Sequence, residues 1–535
     1  MASRVLVSDT LSEAGLSILK KSPGIEVVYK PGLKEADLAQ AIPGFDALVI
    51  RSGSKVTAKV IEASKGLKVI GRAGIGVDNV DVAAASHHGV VVMNTPTGNA
   101  VTTAEHALAL LFSLARRTPQ ATASMRAGKW EKNKFQGREL AGKTLGVIGL
   151  GNIGRIVADR AHGLKMNVIA FDPVVAPERA SALGVELVSL DQIWERADAV
   201  TVHTPLTSET KGLVNDQTIA KMKKGVLLVN CARGGIFDEA ALLRGLESGR
   251  LGGVALDVFV EEPPGQIPLL SRDDVICTPH LGASTEEAQE RVALEIAEQV
   301  VQYLTTGTIV NAVNVPSVPR EVAPRLNPYV NLARRLGSFL AQVQKVTPRA
   351  IEVECTGEPA ELGTAPITSS AVAGVLERFL EASVNQVSAP HLAKDRGIAL
   401  REQKASPRPG GMSALVSLRI EEAGGSIARV DGTLAADGSA RLVRWGDYEL
   451  DAHLTGSILV ILNEDRPGVI GAVGTVLGRA QINVSRLQVG LAPSSKRAAS
   501  LWSLDSPLPA AVLDEIRRLP NVAAALSVGL PADGE

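Results

Sequence analysis

The sequence predicts an α/β protein built from two successive doubly wound parallel sheets, followed by a mixed α+β segment and a small βαββαβ unit. Three observations carry this. Apolar β-type runs alternate with helical patterns in two separate series along the first part of the chain. A proline-rich stretch, NVPSVPREVAPRLNP near residues 314–328, reads as the clearest linker. The final segment has the order strand, helix, strand, strand, helix, strand. A length of 535 residues exceeds what one core organises, so roughly two to four domains are expected.

The first series comprises RVLVSD, IEVVYKP, DALVIRS, LKVIGRAG and VVVMNTP, separated by LSEAGLSILKKS, LKEADLAQAI, TAKVIEASK and VDVAAASHHG. A longer Ala- and Leu-rich helical stretch from about Asn99 to Ala123 suits burial between two units. The second series begins at TLGVIGLG and continues through NVIAFDP, VELVSL, ADAVTVHTPL, GVLLVNCARGG, GGVALDVF and DVICTPH. The helical STEEAQERVALEIAEQVVQYLTTG follows and returns the chain to the first unit, leaving a cleft between two lobes. Residues 329–452 mix helices with strands joined by glycine turns and contain no chemical motif. SILVILNEDRP, GVIGAVGTVLGRA, INVSRLQVGL, AASLWSLD, AAVLDEIRRL and AALSVGL form the terminal unit.

The 56 basic and 57 acidic residues nearly cancel, which gives no reason to expect nucleic acid or an anionic membrane as a partner. No stretch has the length and purity of a membrane span, and the N-terminus lacks the apolar core of a signal peptide. Cys231, Cys277 and Cys355 show no metal-ligand spacing; they fit a reducing cytoplasm as small buried hydrophobes. No metal site is expected.

Chemistry concentrates at strand ends of the second series. Gly149-Leu-Gly151-Asn152-Ile153-Gly154 follows a strand and opens a helix, the context that makes such a glycine pattern meaningful. Its first glycine permits the tight turn, its second lets backbone approach a pyrophosphate, and its third lets helix pack on strand. Asp172, 18 residues beyond Gly154, can accept from ribose hydroxyls and would repel a 2′-phosphate, favouring NAD over NADP. Arg233, flanked by glycine in NCARGG, can grip a carboxylate in a two-point fork. His280 in PHLGAS becomes a base tuned near neutrality if a glutamate from DVFVEEPP reaches its ring.

The set GLGNIGR, HTPLT, NCARGG, ALDVFVEEPP and PHLGAST resembles the D-isomer-specific 2-hydroxyacid dehydrogenase family. The likeness runs the whole length and is strongest to the long-form members that oxidise 3-phosphoglycerate at the start of serine synthesis. It implies a flavodoxin-like substrate lobe (1–98 with 285–315), a Rossmann NAD lobe (99–284), an intervening regulatory domain (316–452) and a ferredoxin-like ACT domain (455–531). His280 would take the hydroxyl proton, Glu262 (the acid before proline, rather than Glu261) would pair with it, and Arg233 would hold the substrate carboxylate.

NAD contacts would fall on Gly149, Gly151, Asn152, Ile153, Gly154, Asp172, Thr204, Cys231, Ala232, Arg233, Asp257, His280, Leu281, Gly282 and Ala283. Arg51, Ser52, Arg72 and Gly74 would meet the substrate and its phosphate, with Lys132 reaching in from a neighbouring subunit. Asn463, Asp465 and Asn483 would bind serine between two ACT domains as a feedback signal. The resemblance further implies a cytoplasmic homotetramer. Two alternatives stay open: a relative acting on glyoxylate, hydroxypyruvate, lactate or 2-oxoglutarate, and an NAD-sensing binding protein on the same fold.

Overall fold

The computed structural model describes residues 2–316, 322–344, 348–380, 384–407, 412–422, 424–492 and 496–531. The first sheet contains β1 (Ser3–Val7), β2 (Ile25–Tyr29), β3 (Ala47–Ile50), β4 (Val69–Arg72) and β5 (Val91–Met93), all parallel, in the order β2-β1-β3-β4-β5. The near-continuous apolar character of β3, β4 and β5 matches burial on both faces, while the edge strand β2 stays partly exposed. The return helix Glu286–Thr306 completes this core: Val292, Ala293, Ile296 and Val300 pack with Val5, Val49, Val69 and Val91.

The second sheet contains β6 (Thr144–Ile148), β7 (Asn167–Phe171), β8 (Glu186–Leu187), β9 (Ala199–Val202), β10 (Val226–Asn230), β11 (Leu251–Leu256) and β12 (Val275–Cys277). Its order, β12-β11-β10-β9-β6-β7-β8, is again fully parallel and reverses direction between β6 and β9. Ligands of open α/β sheets bind beyond the strand C-termini at such a switch point.

The Ala/Leu-rich stretch forms two helices rather than one. Ala100–Arg116 buries Ala104, Ala107, Leu110 and Leu111 in the second lobe, and Thr118–Arg126 follows after Arg117 turns left-handed at φ 53°. Pro119 has no N–H to offer the Ala115 carbonyl, which accepts from the Arg138 N–H at 2.8 Å instead.

The third sheet holds β13 (Pro348–Gly357), β14 (Ala399–Ala405), β15 (Ala414–Glu422), β16 (Ile427–Leu434), β17 (Ala440–Trp445) and β18 (Tyr448–His453) in the order β14-β13-β15-β16-β17-β18. The expected linker is shorter than its prolines suggest. Residues 317–321 lie outside the described residues, but Pro324 and Pro328 belong to the helix Ala323–Val343. Pro324 sits in the first turn, where its missing N–H costs nothing.

The last sheet, β19 (Gly456–Glu464), β20 (Val484–Leu491), β21 (Arg497–Leu504) and β22 (Val522–Leu530), has the ferredoxin-like order β20-β21-β19-β22. One of its faces shares a core with the third sheet: Ile458, Val460, Leu501 and Val528 cluster with Leu336, Phe339 and Leu442. Gln342 on the helix Ala323–Val343 donates to the Gly529 carbonyl at 2.9 Å and accepts from its N–H at 3.1 Å.

Candidate active site between the two lobes

The two lobes enclose a cavity of about 450 Å³ lined from one side by Arg72, Gly76, Asp78 and Asn94, and from the other by Asn152, His203, Thr204, Arg233, Asp257 and His280. Of the glycine loop, Asn152 and Ile153 reach its lining. Gly149 adopts φ 90°, and a Cβ there would sit 2.6 Å from the His203 carbonyl. A Cβ on Gly154 would sit 1.9 Å from the Gly149 carbonyl, so helix and strand could not approach. Gly151 instead faces open space and caps the helix Asn152–Gly163 without any side chain, leaving room for an anionic group at the helix N-terminus.

Asp172 ends β7 and accepts from the Leu150 N–H at 2.8 Å and the Val174 and Val175 N–H groups at 2.9 and 3.1 Å. It therefore holds the glycine loop and keeps acceptor lone pairs to spare.

His280 and Glu262 meet. The His280 Nδ1 lies 2.7 Å from Glu262 Oε2, while Glu262 Oε1 accepts from the Phe259 N–H at 3.1 Å. The ring thus has one nitrogen held and Nε2 left for the cleft. Asp257 fixes the backbone beneath it: its carbonyl accepts from the His280 N–H at 2.9 Å. Its carboxylate accepts from the Leu281 and Gly282 N–H groups at 2.7 and 2.8 Å. Burial would raise the Asp257 pKa, but hydrogen bonds from His106, Thr278 and Leu281 hold it below the usual carboxylate range.

Asp257, which the resemblance places against cofactor, also clamps the His280–Gly282 backbone. His106, Cys231 and Asp257 lie within 4.8 Å of one another in ligand atoms. The carboxylate is bonded to His106 and Thr278, which form a hydrogen-bonded clamp around it, while burial pushes the neighbouring Cys231 thiol far up. Cys277, expected buried with the other two cysteines, is only half-buried at the end of its edge strand.

Arg233 follows β10 in a loop folded by Asn230, whose amide donates to the Arg233 carbonyl at 2.9 Å and accepts from the Ala232 N–H at 3.0 Å. Its Nε donates to Asp78 of the other lobe at 2.8 Å. Arg72 faces the same cavity. Burial first, and then the charge of Arg233, lower its pKa to about 10, so it remains a cation at neutral pH. Gly74, beside Arg72, adopts φ 141°, a backbone conformation that side chains disfavour, which explains glycine at that position.

Arg51 and Ser52 sit beside the cavity rather than in its lining. The Arg51 loop is pinned by buried Asp9, which accepts from the Arg51 N–H at 2.6 Å. Lys132 is exposed on a short 3-10 turn away from the cavity. Asp78, Asn79 and His106 escape sequence reasoning because none stands at a strand end or in a local motif; Asp9 and His203 do follow strands, His203 as the first residue of HTPLT, but nothing local marks either as a site residue.

Four buried polar atoms in the cavity lining have no partner: Arg72 Nε, Asn99 Oδ1, His203 Nδ1 and Thr204 Oγ1. Unsatisfied buried groups cost about 1–3 kcal/mol each, so such a set fits a cleft that receives a polar ligand. Burial lowers the His203 pKa to about 4. The unfolded chain therefore binds a proton first as pH falls below the ordinary 6.5. Stability from this group is complete above that value and declines down to about pH 4, by on the order of 1 kcal/mol per unit. Calorimetry should show a shallower loss of Tm between pH 7 and pH 5 in His203→Gln than in the parent; equal slopes would refute the assignment.

In the terminal unit Asn463 is buried at the end of β19 and donates to the Glu464 carbonyl at 2.7 Å, with exposed Asp465 beside it. Asn483 lies beyond the far end of the helix Val469–Arg479, about 16 Å along its axis by helical rise. One domain therefore does not bring the three together.

Comparison with known proteins identifies the family. Residues 108–282 match the D-isomer specific 2-hydroxyacid dehydrogenase NAD binding domain, 325–445 the D-3-phosphoglycerate dehydrogenase intervening domain, and 457–521 the ACT domain. D-3-phosphoglycerate dehydrogenase of Bacillus subtilis is 41% identical over 528 residues, covering 99% of this chain and 100% of that protein. The chain belongs to the D-3-phosphoglycerate dehydrogenase family. The family relative from Archaeoglobus fulgidus is also 41% identical, over 98% of this chain and 100% of its own.

Among solved structures, a glyoxylate reductase from Paecilomyes thermophila matches 58% of this chain and 98% of its own at 29% identity and TM-score 0.55. D-lactate dehydrogenase from Aquifex aeolicus, complexed with NAD and lactic acid, matches 58% and 100% at 27% identity and TM-score 0.52. The two-lobed part is thus shared with dehydrogenases of several hydroxy acids, and the cofactor of the chain is NAD. Among the described residues no helix is long and apolar enough to cross a membrane.

Proposed function

We propose that this chain oxidises the C2 hydroxyl of 3-phospho-D-glycerate to give 3-phosphohydroxypyruvate, the entry step of serine synthesis. The observation that carries the reading is the convergence on one cavity of a His–carboxylate pair, His280 and Glu262 at 2.7 Å, with the guanidinium groups of Arg233 and Arg72. NAD supplies the hydride acceptor when bound. His280 Nε2 takes the hydroxyl proton as the carbonyl forms, and Glu262 stabilises the imidazolium through Nδ1.

Arg233 binds the substrate carboxylate and polarises the developing carbonyl oxygen. Arg72, with Arg51 beside it, receives the phosphate, and Lys132 adds a cation from a neighbouring subunit. Two arginines at strand ends are more than a lactate or glyoxylate needs, which favours a phosphorylated acid over the smaller ones.

Regulation belongs to the same reading. Serine binds between ACT domains of two subunits, with Asn463 and Asp465 from one and Asn483 from the other, and slows turnover. The separation of Asn483 from the other two within one domain supports a site that needs two copies. The reading includes a cytoplasmic homotetramer. An assay following NADH consumption with phosphohydroxypyruvate, with and without serine, tests both parts. Faster turnover of a non-phosphorylated 2-oxo acid would remove the phosphate assignment, absence of any turnover would favour the NAD-sensing alternative, and serine without effect on rate or Tm would remove the feedback site.

A further inference from the structure

The loop between β4 and the helix that begins at Val82 makes two contacts that the proposed mechanism leaves unused. Asp78 Oδ2 receives the Arg233 Nε–H at 2.8 Å across the lobe boundary, while Arg233 Nη1 donates to the Ala232 carbonyl at 2.7 Å. Arg233 Nη2 lies over Gly76, where a Cβ would be 1.9 Å from it. The next residue turns the other way. Asn79 Nδ2 donates to the Arg51 and Ser54 carbonyls, both at 2.7 Å. One loop of the first lobe therefore holds the arginine of the second lobe and the backbone of a first-lobe arginine with adjacent side chains.

The electrostatics make this placement consequential. Arg233 and Arg51 both act on Arg72 as like charges, and Asp78 is the larger of the two opposing charges that Arg72 feels. A guanidinium offers five N–H donors in a rigid fork. With Nε–H given to Asp78 and one Nη1–H given to Ala232, the remaining donors stay available for a ligand carboxylate. A long side chain anchored at one edge loses less freedom when it binds at the other.

We propose that Asp78 is a positioning residue for the substrate carboxylate: it holds Arg233 by Nε across the cleft and aims the free edge of the guanidinium at the ligand. This rests on the reading of Arg233 as the carboxylate anchor. The competing view is that an ion pair whose Asp78 side chain is 70% exposed contributes nothing measurable.

A double-mutant cycle on the full-length protein separates the two. Asp78→Ala is expected to lower kcat/KM about 10- to 100-fold, mainly through KM, with NADH Kd within about twofold of the parent and Tm unchanged. Asp78→Glu recovers part of the loss, and Asp78→Asn recovers less because it keeps the acceptor without the charge. In an Arg233→Lys background, which has no Nε–H, Asp78→Ala should cost less than about threefold. A loss below threefold in the parent overturns the proposal. So does an equal loss in both backgrounds.

Every 2-hydroxy or 2-oxo acid presents the same carboxylate, so the cycle uses whichever acid turns over best. Failure of phosphoglycerate with success of another acid removes the substrate assignment and leaves this test intact. Additive losses with phosphoglycerate turnover intact remove the role of Asp78 alone. Oxalate titrated against the fluorescence of bound NADH gives the same comparison without turnover.

Discussion

His280→Asn should lower kcat about a thousandfold while NADH binds within about threefold of the parent. General-base catalysis by a positioned side chain is worth about 10²–10⁴ in rate, and of the two histidines that line this cavity, His203 and His280, only His280 is paired with a carboxylate. Asparagine is the informative replacement because residue 280 sits at φ 53°, a left-handed conformation that asparagine tolerates better than most residues. The backbone bond from residue 280 to the Asp257 carbonyl, at 2.9 Å, is then preserved, so the loop stays where it is. Steady-state rates with phosphohydroxypyruvate and NADH fluorescence titration check the two halves. A kcat within tenfold of the parent would show that the base lies elsewhere.

Arg233→Ala should reduce kcat/KM about a thousandfold, equivalent to ~4 kcal/mol of transition-state stabilisation. Two effects add. The substrate carboxylate loses its two-point partner in a cavity where a charge-assisted bond is strong, and the forming carbonyl loses a cation beside it. Stability should barely change, because Asp78 is exposed enough to be rehydrated when its partner leaves. Cofactor affinity should also hold, since the neighbouring turn is folded by Asn230 rather than by the arginine side chain. Kinetics, Tm and NADH titration on one preparation test all three, and weakened NADH binding would mean that Arg233 shapes the nucleotide site instead.

Much of the site was legible before any coordinates because its parts are short segments at strand C-termini. GLGNIG, NCARGG, DVFVEEPP and PHLGAS each follow an apolar run and each carry residues with no purpose in a strand. A parallel sheet places all such ends along one edge, so adjacency in the fold follows from recurrence in the sequence. The same logic locates Arg72 at the end of β4 and Arg51 just after β3.

Residues that act on those residues were not legible. Asp78 lies 155 positions before Arg233, and His106 lies 151 before Asp257. Nothing in VDN or AEH distinguishes a carboxylate or imidazole aimed at a distant partner from one facing solvent. Long-range pairs of this kind depend on how the lobes close, which no local period encodes.

The chain alone, then, determined the alternation that yields two parallel sheets and the glycine loop that admits a dinucleotide, and it offered His280, a glutamate of DVFVEEPP and Arg233 as groups able to move a proton and hold an acid. These rest on local rules: side-chain period, backbone freedom of glycine and the directionality of strand ends. Only the tertiary structure decided that the terminal sheet shares a core with the domain before it, that Asn483 stands a helix length from Asp465, and that Arg233 is held from the opposite lobe by Asp78. Those facts arise from packing between segments remote in sequence, where the partner of a buried face or a fixed charge is set by geometry rather than by neighbours along the chain.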